Sequence, residues 1–114
     1  MIEPQEALDN LEAILDVPGI DGIYVGSGDL GFSLGLASRL DRDEPQVLQI
    51  YERLIRETNS RGLYAGLHCV SPVYAARMIR SGFRLVTIAN DTGLLAKAAR
   101  KSVAGVWAEA GDFQ

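Results

Sequence analysis

Only one cysteine, Cys69, occurs among the 114 residues, so no internal disulfide can form and a disulfide-stapled mini-scaffold is excluded. Lysine is also scarce, occurring only at Lys97 and Lys101. Beyond Lys97, Arg100 and Lys101 there is no Lys/Arg cluster, and the net charge is −4, which provides no footprint for a phosphate backbone; no nucleic-acid partner is expected. No apolar stretch approaches the ~18 to 20 residues of a membrane span, so the chain is not expected to be integral to a membrane. The start, Met1-Ile2-Glu3-Pro4, lacks a basic region followed by an apolar run. Together with the lone thiol, this makes a cytoplasmic setting the expectation. What is present is 47% hydrophobic and 23% charged residues, the balance of a globular chain with one core.

Ala7, Leu8, Leu11, Ile14 and Leu15 recur at helical spacing, so a helix is predicted after Pro4 and ending before Pro18-Gly19. Gly22-Ile23-Tyr24-Val25-Gly26 reads as a buried parallel strand. The glycine-rich stretch Gly26 to Gly31 and the region from Phe32 to Glu44 read as a loop with one helical turn at most. Pro45 opens the clearest helix, with Val47, Leu48, Tyr51, Leu54, Ile55 and Thr58 on one face and Gly62 ending it. Leu63 to Val70 is the next predicted strand. Ser71-Pro72 then supplies an N-cap and first-turn proline for a helix through Arg80, closed by Gly82. Phe83 to Ala89 is another strand, and the last helix is predicted from Leu94 to about Val103, with Leu94, Leu95, Ala98 and Ala99 inward. The tail from Ala108 to Gln114 is expected to fray. Met1-Ile2-Glu3 sits where a preceding strand would end. This alternation demands right-handed parallel crossovers, and repeats of roughly 25 to 40 residues suit either a barrel or an open parallel sheet.

In parallel α/β folds, ligands meet side chains at the C-terminal ends of the strands. That rule selects Glu3, Asp29, His68 to Ser71, and Asn90 to Thr92. Glu3 and Asp29 are 26 residues apart, about one strand-to-strand repeat. Neighbouring strands run ~4.8 Å apart, where two carboxylates repel unless a cation lies between them. A hard divalent cation bound by one oxygen from each would remove the conflict. The competing account makes Glu3 a helix N-terminal acid and Asp29 a turn or N-cap residue.

The run Ile2-Glu3, Ala7-Leu8-Asp9-Asn10-Leu11, Gly19-Ile20-Asp21-Gly22-Ile23 and Gly26-Ser27-Gly28-Asp29-Leu30, followed by Gly35, resembles the second half of the HpcH/HpaI family of metal-dependent pyruvate aldolases. Ile88 to Leu95, with Asn90-Asp91-Thr92-Gly93, resembles that family's last barrel turn and helix. The resemblance implies an α/β fold, the C-terminal half of a (β/α)8 TIM barrel with about four parallel β/α units, over 1–114 as a partial barrel domain. It implies a carbon–carbon lyase that reversibly cleaves 4-hydroxy-2-oxo acids to pyruvate and an aldehyde with Mg²⁺, Mn²⁺ or Co²⁺. Glu3 and Asp29 match the family's two metal ligands, and the cation would act as a Lewis acid on the keto oxygen. Gly28 matches the position whose backbone N–H meets the pyruvate carboxylate, so Gly28 and Asp29 are the expected substrate-binding residues. Ser27 and Gly28 replace the family's proline and alanine, and Met1 stands where many members have a substrate-contacting glutamine. A complete member has about twice as many residues, consistent with a barrel of ~250. Its first half supplies the arginine and the proton-transfer histidine and aspartate, so no catalytic residue is expected within these 114, which are expected to enter the barrel at the end of its fifth strand.

His68 and Cys69 read more simply as packing residues than as a proton donor and a nucleophile, and Tyr51 and Trp107 as core or interface residues. A homo-oligomer is expected, its interface using the first and last strand segments and the C-terminal helix from Leu94 to Trp107, because four strands cannot close a barrel and would expose an interior face of Ile23, Val25, Leu67, Val86 and Ile88. The alternative function is a non-catalytic α/β domain that binds phosphate or a protein through the glycine-rich turn and the helix N-termini at Ser71 and Thr92.

Overall fold

A computed structural model describes residues 1–111. Three parallel strands form one sheet in the order β1 (Gly22–Val25), β2 (Tyr64–Cys69), β3 (Leu85–Ile88). Ile2 adds a fourth parallel position through a bridge to Val25, with Ile2 N–H donating to the Tyr24 carbonyl at 2.8 Å. The Met1-Ile2-Glu3 segment is therefore the strand end that its place in the repeat suggests.

Between these strands run α1 (Gln5–Asp9), α2 (Leu11–Leu15), α3 (Ser27–Ser33), α4 (Pro45–Ser60) and α5 (Pro72–Ser81), with α6 (Asp91–Ala110) at the end. The single predicted first helix is divided at Asn10, whose side-chain amide donates to the Glu6 carbonyl at 2.9 Å and bends the turn. Pro4 is its N-cap, so the helix begins directly after it. The Ser71 hydroxyl accepts from Tyr74 N–H, and Gly82 ends α5 at φ +118° as the spacing requires.

The stretch read as a loop is helical. α3 forms although it contains Gly28 and Gly31, because Leu30 is buried and Arg42 holds the turn from below. Arg42 is fully buried; its Nε donates to the Ser27 carbonyl at 2.8 Å, its Nη2 to the Ala37 carbonyl and its Nη1 to Glu44 at 3.0 Å. The guanidinium lies against Gly31, where a Cβ would stand 1.7 Å from Nη2.

The core lies between one face of the sheet and the helices α1, α2, α4 and α5. This corrects the expected sheet polarity. Ile23, Val25, Ala65, Leu67 and Cys69 share the helix-covered face and are buried, whereas Tyr24, Tyr64, His68, Leu85 and Thr87 occupy the open one. Val86 and Ile88 are in register with the covered face, but they lie at the sheet edge, where Ile88 stays 45% exposed. A cleft of about 640 Å³ on the open side is lined by Met1, Tyr24, Tyr64 and Leu85 among others.

The last helix also departs from expectation. It starts at Asp91, three residues early, with the Asn90 side chain accepting from Gly93 N–H, and it continues to Ala110 with no buried residue. Leu94, Leu95, Ala98 and Ala99 therefore do not point into a core, and Trp107 is 63% exposed. Of the tail expected to fray, Ala108 to Ala110 is helical, Gly111 is outside the helix, and 112–114 lie outside the described residues. The projecting helix raises the radius of gyration to 18.3 Å, against ~13 Å for a compact chain of this length.

Candidate metal and substrate site

Glu3 ends the Ile2 segment at the C-terminal rim of the sheet, next to the end of β1. Gly26 N–H donates to the Ile2 carbonyl at 3.2 Å, which carries the parallel ladder up to Glu3. The Glu3 side chain lies across Gly26. A Cβ on Gly26 would stand 2.5 Å from Glu3 Oε1 and 2.7 Å from its Cγ, so only glycine leaves the carboxylate this place.

Gly26 is also the N-cap of α3, and Asp29 is the third residue of that helix. Asp29 thus sits in a first helical turn, not at a strand end as its spacing from Glu3 suggests. Ser33, one turn after Asp29 on the same side of α3, donates from Oγ to the Glu3 carbonyl at 3.1 Å. This contact ties α3 to the Glu3 segment. The Glu3 side chain thus lies beside the N-cap Gly26 and Asp29 stands in the first turn of the same short helix, whose dipole favours negative charge there.

Neither carboxylate takes part in an ion pair among the described residues; the arginines pair with Asp16, Asp43, Glu12, Glu44 and Glu57 instead. Two oxygen-donor side chains without a cationic partner fit a hard divalent cation. No group of three or more His, Cys, Asp and Glu side chains that could hold a metal ion occurs among the described residues. Gly28 is the second residue of α3. Gly26 has no side chain to cap the first-turn N–H groups, which leaves the Gly28 N–H available to an anion.

Two residues that periodicity did not single out hold this rim. Arg42 fastens the first turn of α3 through the Ser27 carbonyl, as described above. Asp41 accepts from Val70 N–H at 2.8 Å and Ser71 N–H at 3.0 Å, which ties the loop after α3 to the end of β2. Their only sequence signal is a charged run between a glycine-rich stretch and a helix, which reads equally well as a solvated loop.

Cys69 is fully buried, and its thiol is pushed up to about 11, chiefly by loss of hydration and further by the Asp41 charge. It should stay protonated. At about pH 8 an aromatic disulfide reagent is expected to label the folded chain on the order of 100-fold more slowly than the urea-unfolded chain. Equal rates would show that the thiol is accessible and ionised.

The family model for HpcH/HpaI aldolase/citrate lyase matches residues 1–98. The chain belongs to this family. It is 38% identical over 104 residues to the hydroxypyruvate/pyruvate aldolase of Rhizorhabdus wittichii, covering 91% of this chain and 41% of that protein. It is 37% identical over 103 residues to the 2-keto-3-deoxy-L-rhamnonate aldolase of Klebsiella pneumoniae, covering 90% of this chain and 38% of that protein. The crystal structure of an HpcH/HpaI aldolase/citrate lyase family protein from Burkholderia cenocepacia superposes with a TM-score of 0.83 at 28% identity, over 92% of this chain and 40% of that one. The chain thus spans about two fifths of the relatives it matches. Its α/β fold is that of part of the family's TIM barrel, with the helix-covered face outward and the open face toward the barrel axis. No helix among the described residues is long and apolar enough to cross a membrane.

The close approach at Gly26 makes a local test possible. Gly26→Ala is expected to leave the fold intact, because the group displaced is the flexible Glu3 side chain, while Mn²⁺ affinity falls by about tenfold. The free-ion signal in electron paramagnetic resonance reads that loss directly. Unchanged binding would remove Glu3 from the site.

Proposed function

We propose that residues 1–114 form a partial barrel domain that carries the divalent-cation and pyruvate subsite of a class II aldolase acting on 4-hydroxy-2-oxo acids. The observation that carries this reading is the placement of Glu3 beside Gly26 and of Asp29 in the uncapped first turn of α3, neither in an ion pair among the described residues. Glu3 and Asp29 would hold Mg²⁺, Mn²⁺ or Co²⁺. When bound, such a cation supplies Lewis-acid polarisation of a 2-oxo group and a counter-charge for its oxygen. Gly28 N–H meets the substrate carboxylate, and the dipole of α3 reinforces that contact. Ser33 and Arg42 keep the first turn of α3 in place against the Glu3 segment, which limits backbone reorganisation during reaction. A reducing, cytoplasmic setting suits the free thiol.

Calorimetry with pyruvate tests the assignment. Pyruvate is expected to bind only when Mg²⁺ or Mn²⁺ is present, and metal-independent binding or none would refute it. Cleavage of 4-hydroxy-2-oxo acids by the 114-residue chain alone is expected to be undetectable or very weak, since it holds no arginine and histidine in the family's proton-transfer positions. Turnover on the order of 1 s⁻¹ would contradict that.

The phosphate-binding reading loses two of its three anchor points, since the Ser71 hydroxyl caps α5 and the Asn90 side chain caps α6; the uncapped turn that remains, at Gly28, serves the aldolase reading equally.

The proposed partner surface is α6. Leu95, Ala99, Val103, Val106 and Trp107 recur along one stripe and are all exposed. A second copy that buries this stripe would form a homo-oligomer. Light scattering at micromolar concentration should give a mass above the 12.3 kDa of one chain, and Leu95→Glu with Trp107→Glu should return it toward that value. A stable wild-type monomer would defeat the proposal.

A further inference from the structure

The open face carries a side-chain network that the carboxylate pair does not use. Tyr24, Thr87 and His68 come from β1, β3 and β2. The Tyr24 hydroxyl is hydrogen-bonded to Thr87 Oγ1, and Thr87 Oγ1 is also 2.8 Å from His68 Nδ1. Tyr24 reaches β3 by crossing over Gly66 of β2. A Cβ there would stand 2.8 Å from Tyr24 Cδ2, so any larger residue closes the crossing.

His68 is the penultimate residue of β2, at the same rim as Glu3 and the N-terminus of α3. Its ring is half-buried and held at Nδ1, while Nε2 has no hydrogen-bond partner among the described residues. If Tyr24 O–H donates to Thr87 and Thr87 O–H donates to Nδ1, every oxygen in the network is used and the ring proton resides on Nε2. A single donor is then presented at the mouth of the open face. β1 alone separates the Glu3 segment from β2, two strand spacings or ~10 Å, which the carbon chain of a bound 2-oxo acid and the two side chains span together.

We infer that His68 contacts substrate. Its Nε2–H donates to a hydroxyl oxygen on the aldehyde-derived part of a polyhydroxylated 4-hydroxy-2-oxo acid, and Thr87 and Tyr24 are its positioning residues. This rests on the proposed function, which places the pyruvate part at Glu3, Gly28 and Asp29. A site built to hydrogen-bond a hydroxyl discriminates against ligands that lack it, so His68 selects for the substrate's far end and is indifferent to pyruvate.

The test is calorimetry on the full chain with Mg²⁺, using pyruvate and 4,5-dihydroxy-2-oxopentanoate as probes. His68→Ala is expected to weaken the dihydroxy ligand by about tenfold and pyruvate by less than about twofold. Thr87→Val should weaken the dihydroxy ligand by about threefold. A second readout needs no ligand. At about pH 8.5, well above the ordinary histidine value, imidazole ¹⁵N spectra of the wild type should show a protonated Nε2 and a bare Nδ1, and Thr87→Val should mix the tautomers. If His68→Ala does not fold, His68→Asn is read in the same way. Pyruvate binding with equal or no loss of both ligands, or a ring protonated at Nδ1, would overturn this inference alone. Failure of the wild type to bind either ligand with Mg²⁺ would overturn the proposed function and this inference with it.

Discussion

Replacing Asp29 with alanine is expected to abolish measurable Mn²⁺ binding, with affinity falling by about 100-fold or more, while the fold stays intact. Loss of a hydrogen-bonding group that merely supports a metal ligand already costs about 10- to 100-fold, and here one of two protein ligands is removed. Stability should hold because Asp29 is exposed and makes no ion pair among the described residues. Its contribution to the dipole of α3 is worth about 0.3–1 kcal/mol at most. Titration calorimetry on wild type and variant, with circular dichroism as the control, separates the two roles. An Asp29→Ala variant that still binds Mn²⁺ like the wild type would make Asp29 a plain helix N-terminal acid.

Arg42→Ala should have the largest effect on stability, a loss of about 3 kcal/mol in urea unfolding. The side chain is fully buried and bonds three groups from separate parts of the loop. Its removal takes a donor from the Ala37 carbonyl and the second donor from the Ser27 carbonyl, and leaves a void beside Gly31. For a chain of this size, that corresponds to a drop in Tm on the order of 10 °C. Arg42→Lys keeps the charge but not the planar fork, and should recover less than half of the loss. Glu44 supplies a check at acid pH. Its carboxyl is held below its ordinary value, first by a hydrogen bond from its own backbone N–H, with the Arg42 and Arg39 charges adding and burial opposing. A depressed carboxyl stabilises the fold above its unfolded value of about 4.3 and loses that contribution as the pH falls through its folded value. The acid limb of the stability curve should therefore be shallower in Arg42→Ala, and a loss below about 1 kcal/mol would show that the loop does not depend on the guanidinium.

The parts of the fold set by local rules were legible in the residues. α4 follows from Pro45 and its apolar stripe, and α5 from Ser71-Pro72 at one end and Gly82 at the other. α3 was not, because Gly28 and Gly31 argue against a helix and the group that stabilises it, Arg42, lies outside any local window. The apolar face of the sheet turns to the helices, not to the barrel interior. Ile23 and Val25 are as apolar as a barrel interior can be, but the helices need that face, and the axis side receives Tyr24, His68 and Thr87 instead. The alternation of Gly22 and Tyr24 against Ile23 and Val25 carried that information.

The site divides in the same way. Glu3, Gly28 and Asp29 could be picked out by strand-end position and motif resemblance, but the contacts that surround them are long-range. The bare α-carbon of Gly26 beneath Glu3 and the Ser33 contact to the Glu3 carbonyl exist only once β1 and the Ile2 segment are paired. α6 is legible as a helix from its apolar residues although its cap at Asn90 is not, and whether its stripe faces a core depends on what packs against it; no residue of α6 is buried among the described residues.

The central claim is that Glu3 and Asp29 share one divalent cation. Anomalous diffraction from crystals grown with Mn²⁺ and pyruvate tests it most directly. One manganese peak about 2.1 Å from a carboxylate oxygen of each residue is the expected result. A peak bound elsewhere, or carboxylates that stay apart with no metal between them, would contradict it.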